Sequence, residues 1–158
     1  MLKIAVVVAD FNTEITRGLL ASAQTVIRSG GQAEVSEVIH VPGAFEVAMA
    51  AKLIAFQKNP PDAIVCLGAI IQGQTDQNTY LAQSCFSALG MLQLESNIPI
   101  GLGIISAPSL SVAMERTRGE LDRGREAAEA AILMAGLKQK YIKPASEASL
   151  SHQAGFRI

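Results

Sequence analysis

Leu2 to Ala9 (LKIAVVVA) and Ala63 to Ile71 (AIVCLGAII) are near-continuous apolar runs rich in β-branched residues. A strand with one face in water alternates apolar and polar residues, so runs this long without alternation must be covered on both faces. Residues 98–106 (IPIGLGIIS) repeat the pattern, and Ala33 to Ile39 reads as a further strand with weaker alternation. Helical spacing fills the intervals. Asn12 or Thr13 is placed to cap a helix with apolar positions Ile15, Leu19, Leu20, Ala23, Val26 and Ile27, stopped by Gly30-Gly31. VPGAFE (41–46) turns into a helix that extends to Lys58, before Pro60-Pro61. Thr75 or Asp76 caps a long helix reaching about Asn97. SLSVAMERT (109–117) reads as a short helix, and Gly124 to Lys140 as an alanine-rich last one.

Strands alternating with helices require a parallel sheet with right-handed crossovers and helices on both faces. The fold expected is α/β, a single-domain three-layer αβα sandwich on a four-stranded parallel sheet, spanning residues 1–143. A chain of 158 residues suits one such domain. Residues 144–158 (PASEASLSHQAGFRI), small and polar, are expected to form a loosely ordered tail.

Composition narrows the function. Hydrophobic residues make up 49% and charged residues 17%, so part of the apolar surface is expected in subunit contacts. A net charge of −1 provides no field for nucleic acid or an anionic membrane. The N-terminus reaches Asp10 too soon for a signal peptide, and no run approaches the ~18 apolar residues of a membrane span, so a cytoplasmic location is expected. Cys66 and Cys85 lie in apolar runs without metal-ligand spacing and read as buried free thiols.

In such sheets ligands bind beyond the carboxyl ends of the strands. Those ends are residues 10–12, 41–46, 69–77 and 106–109. Gly73-Gln74-Thr75 opens a helix whose free N–H groups and dipole suit an anion, although a plain strand-to-helix turn with a threonine cap uses the same residues. No Walker loop and no dinucleotide fingerprint is present. The GLG at 101–103 lies inside a strand and marks close backbone approach. Phe45, beside the Pro42-Gly43 turn, reads locally as a core contact. Phe11 can either staple a helix or stack on a planar ligand. Arg116, Arg118, Arg123 and Arg125 form either a solvated helix face or a phosphate clamp. His40 and His152 stand isolated, and no Ser-His-Asp, Cys-His or metal cluster appears.

Together, DFN (10–12), VPGAFE, DAIVCLGAIIQGQT (62–75) and the AMER…GREAAEAA pair resemble the lumazine synthase family over about residues 2 to 140. The resemblance implies flavodoxin-like winding and pentamers that stack into decamers or close into icosahedral shells, with active sites between adjacent subunits. It implies condensation of 5-amino-6-ribitylaminouracil with 3,4-dihydroxy-2-butanone 4-phosphate in riboflavin biosynthesis, with no metal or organic cofactor. Carried over by position, Phe11 with the adjoining Asn12 matches the ring that stacks on the pyrimidine. Ala44, Phe45 and Glu46 match the ribityl-binding segment, and Ile70 and Ile71 match main chain that reads the pyrimidine edge. Gly73, Gln74 and Thr75 match the phosphate loop, and Arg116 the phosphate-binding arginine of a neighbouring subunit. Arg123 stands where the family often has lysine, and Leu102 replaces a phenylalanine common in bacterial members.

One departure touches the chemistry. Gln77 falls where the family places a histidine credited with proton transfer. Glutamine hydrogen-bonds and positions water, yet has no titratable proton near neutral pH. General acid–base catalysis supplies ~10²–10⁴-fold, so its loss slows a reaction that orientation and phosphate binding still support. Two readings follow: an enzyme of reduced rate, or an assembly subunit, natural or engineered, whose chemistry is lost. A related archaeal riboflavin synthase ranks behind both, because VPGAFE and GQT sit closer to lumazine synthase.

Overall fold

Being apolar on both faces, β1 (Leu2–Ala9) and β3 (Ala63–Ile71) belong in the middle of a sheet, and they occupy it. A computed structural model describes residues 1–142 and orders the strands β2-β1-β3-β4, all parallel, with β2 at Ala33–Val41 and β4 at Ile100–Ala107. The flavodoxin-like order follows, with a topological switch between β1 and β3. His152 and the expected tail lie outside the described residues.

Among the described residues five α-helices cover the sheet: α1 (Thr13–Ser29), α2 (Ala44–Ala55), α3 (Gln77–Ser96), α4 (Leu110–Glu115) and α5 (Arg123–Tyr141). Alternate residues of β1 feed opposite cores. Ile4, Val6 and Val8 pack with Ile15, Leu19 and Ile27 of α1 and the alanines of α5. Ala5, Val7 and Ala9 pack with Val47 and Ile54 of α2 and with Cys85, Leu89 and Leu92 of α3. Each fully buried aliphatic side chain contributes about 1.5–3 kcal/mol of apolar transfer. The three-layer expectation holds among the described residues. Both cysteines are free and buried.

Glycine lets α5 approach its neighbours closely at two places. A Cβ on Gly101 would land on the carbonyl of Ala127, and one on Gly124 on the carbonyl of Leu19. The GLG segment is therefore a close-approach site, where α5 seats directly on β4.

Several boundaries and caps differ from expectation. The second helix ends at Ala55, not Lys58. Pro60-Pro61 forces the preceding residues out of helical geometry, and the reversal into β3 uses a further turn. β2 runs two residues longer, to Val41, because Asp10 and Phe11 continue its ladder through N–H bonds to the carbonyls of Val41 and Pro42. β4 begins at Ile100 instead of residue 98, since Pro99 has no N–H to give the ladder. Neither Asn12 nor Thr13 caps α1 by its side chain: Asn12 occupies a left-handed conformation (φ 59°), and Thr13 Oγ1 donates to Asp10 O. At α3 the capping position is Asp76, also without a side-chain bond.

Candidate active site

The carboxyl ends of β1 and β3 and the first turns of α2 and α3 enclose a hollow of about 200 Å³. Phe11, Asn12, Ala44, Phe45, Glu46, Ile70 and Ile71 line it, together with Gly43, Ala69, Asn78 and Leu81. Local chemistry explains why these residues meet. The β1 ladder continues through Asp10 and Phe11, which delivers the Phe11 ring to the rim. Asn12 turns back and its Nδ2 donates to Ala69 O at 2.8 Å, bracing the exit of β1 against β3. Pro42 and Gly43 bend the chain directly into α2, so Phe45 and Glu46 fall in its first turn. Phe45 is 65% exposed and Phe11 70%, which overturns the core-contact reading of Phe45. Large aromatic rings left in water at a strand-end hollow are suited to a planar partner.

A second hollow, about 360 Å³, lies beyond the edge strand β4. Leu102, Ser106, Ala107, Arg116 and Arg123 line it, with Phe86, Ile104, Ile105, Pro108 and Val112. Arg116 closes α4 and Arg123 opens α5, and Arg123 N–H donates to Arg116 O at 2.8 Å, so the backbone holds the two cations as neighbours. The side chain of Arg123 pairs with Glu126, whereas Arg116 forms no ion pair with a described residue. Asp122, buried, caps α5 by accepting from Gly124 N–H at 2.9 Å and Arg125 N–H at 3.1 Å, which fixes where this helix begins. Arg125 instead bonds Glu129 and Glu120 O and lines neither hollow, and neither does Arg118. The arginine cluster thus divides: two face the second hollow and two serve as ordinary surface charges.

Gly73, Gln74, Thr75 and Gln77 line neither hollow. They occupy the exposed link between Ile71 and Asn78, both of which line the first. The N–H groups of Gly73, Gln74 and Thr75 have no backbone acceptor among the described residues, which leaves them available to an anion. Gln77 is the exposed first residue of α3.

The titratable side chains lining the two hollows are Glu46, Arg116 and Arg123. His40 lies elsewhere on the rim, its Nδ1 2.7 Å from Asp10 Oδ1. Cys85 Sγ–H donates to Ala44 O at 3.5 Å; burial raises its pKa, a backbone hydrogen bond offsets this only in part and the nearby Glu46 charge adds to the rise, so it remains a neutral thiol beneath the first hollow. Sequence reasoning does not single out Asn78 or Leu81, although they stand three residues apart at the start of α3, a spacing that puts them on one helix face. Ser106 and Ala107 are visible only as the end of β4.

The family model for 6,7-dimethyl-8-ribityllumazine synthase matches residues 1–139. A protein of Salinibacter ruber named 6,7-dimethyl-8-ribityllumazine synthase is 36% identical over 140 residues, 87% of this chain and 89% of that protein. A protein of Levilactobacillus brevis bearing the same name is 34% identical over 140 residues, 87% of this chain and 88% of that one. By the match over most of its length, as by the winding of its sheet, the chain belongs to the 6,7-dimethyl-8-ribityllumazine synthase family.

Proposed function

We propose that the chain is a working lumazine synthase whose site is completed by two protomers. The reaction joins 5-amino-6-ribitylaminouracil to 3,4-dihydroxy-2-butanone 4-phosphate through imine formation, phosphate loss, ring closure and dehydration. The observation that carries the reading is the division of the expected site residues between two hollows with no lining residue in common. One supplies rings and a carboxylate, the other two guanidinium groups. Neither alone recognises both substrates.

In this reading the pyrimidine stacks on Phe11, its edge meets main chain of Ile70 and Ile71, and Glu46 accepts hydrogen bonds from ribityl hydroxyls. Gly73, Gln74 and Thr75 hold the phosphate through N–H and hydroxyl donors, and Arg116 of the adjoining protomer neutralises it as it departs. Leu102 and Arg123 form the wall around it. Holding the amine and ketone in register supplies most of the acceleration, as expected for a bimolecular condensation. Gln77 cannot exchange a proton at neutral pH, so water carries protons during phosphate loss and dehydration, and turnover is slow. Buried free thiols fit the reducing cytoplasm, where we place the enzyme; no described helix is long and apolar enough to cross a membrane.

A second reading, an assembly subunit without useful chemistry, is favoured by Gln77 alone. Incubating the purified protein with both substrates and following lumazine absorbance separates them. Product formed in proportion to protein supports the enzyme. No product at millimolar substrate, from a protein of normal assembly, leaves the structural role.

A further inference from the structure

The link carrying Gly73, Gln74 and Thr75 is gripped at its neck by a residue that lines neither hollow. Gln72 donates its backbone N–H to Ala107 O at 2.8 Å. Its Nε2 donates to Ser106 Oγ at 3.0 Å, and its Oε1 accepts from Thr79 Oγ1 at 3.1 Å. One side chain thus joins the end of β4 to the first turn of α3, across the base of the link. Hydroxyls stand at both ends of the amide, and each can donate or accept. Asn78 Nδ2 closes the same neck by donating to Ile71 O. An anion-binding link with free N–H donors works best when those donors are ordered beforehand, because otherwise the ordering cost falls on binding.

We propose that Gln72 is a positioning residue for the phosphate-bearing substrate, presetting the Gly73–Thr75 link from outside the site. This rests on the assignment of phosphate to that link made above. Gln72 touches no substrate; it acts through Ser106 and Thr79.

The test compares the wild type with Gln72→Ala, Thr79→Val and Ser106→Ala, using inorganic phosphate as the probe in calorimetry and both substrates in steady-state assays. Gln72→Ala is expected to raise the phosphate Kd and the KM for the butanone phosphate about 3–10-fold, the scale of one or two neutral hydrogen bonds. The KM for the pyrimidine should stay within about twofold, which a merely structural role would not arrange. Thr79→Val should give part of this effect, and nothing more when added to Gln72→Ala. Unchanged phosphate affinity in Gln72→Ala overturns the proposal, as does a parallel rise in both KM values. If Gln72→Ala fails to fold, Thr79→Val removes one partner of the amide from outside both hollows and carries the same test, and Ser106→Ala, which also alters the wall of the second hollow, should give at least as large a rise. A wild type that binds phosphate but makes no lumazine defeats the catalytic reading alone, and the phosphate titration then still decides the role of Gln72. A wild type that binds no phosphate overturns it.

Discussion

Cys66 sits in the middle of β3 with no exposed surface, and burial pushes its thiol from 9.0 up to about 12. Its thiolate would have no water and no cation beside it, so the folded state keeps the proton. The folded pKa is above the unfolded one. The stabilisation is therefore complete below pH 9 and is lost as pH rises from 9 toward 12, at about 1.4 kcal/mol per unit. In urea melts between pH 9.5 and 11.5, Cys66→Ala should lose stability less steeply than the wild type by that amount; parallel curves would exclude the thiol as the cause. Gln77 poses the converse question, a group with no proton where one is useful. Gln77→His introduces an imidazole with an unperturbed pKa of ~6.5 in the first turn of α3. Single-turnover rates, which bypass product release, should rise about 10-fold or more, with little change in substrate affinity. Equal rates in the two proteins would mean that water already suffices.

At the scale of elements, β4 and α5 are bound by absence of side chain. Gly101→Ala places a methyl against the carbonyl of Ala127 and should cost about 1–3 kcal/mol or more, since the backbone of α5 lies directly over β4 there and leaves the methyl no room. Gly136 lies in the same helix with open space around its Cα, and Gly136→Ala should instead add about 0.5–1 kcal/mol. Thermal unfolding of the pair checks both signs. The same elements explain what was legible in the sequence. The limits of β1 and β3 follow from unbroken apolar runs, because burial on both faces leaves a one-dimensional signature. The end of α2 and the start of β4 do not, because there Pro60-Pro61 and Pro99 act through backbone geometry and a missing N–H, which an apolar pattern does not record. For the site, matched motifs point to Phe11, Phe45, Glu46 and Arg116, whereas the local reading of Phe45 misleads: an aromatic at a helix start reads as core until the sheet shows which way the first turn of α2 faces. The Gln72 amide joins β3, β4 and α3, and no periodicity in one chain segment encodes that.

At the scale of the whole molecule, the described residues leave apolar surface unpartnered. Phe45, Met49, Leu53 and Phe56 stand 54–65% exposed at near-helical spacing along one side of α2, more than an isolated chain comfortably presents to water. A site that joins the first hollow of one protomer to the second hollow of the next can repeat head to tail, and head-to-tail contacts with a closing rotation generate rings. A pentameric ring, as the family resemblance implies, is the assembly we propose, and a site shared between protomers has a signature that no arrangement with each site inside one protomer gives. Glu46→Ala damages only the first hollow and Arg116→Ala only the second, so each homogeneous ring has every site impaired. When the two proteins are unfolded together and reassembled at a 1:1 ratio, a protomer with an intact first hollow meets a neighbour with an intact second hollow at about one contact in four. Activity should return to about a quarter of the wild-type value, while the two variants reassembled separately and then mixed remain impaired. If each site lay within one protomer, co-assembly would restore nothing, and the division of the site between two hollows would be an accident of the fold.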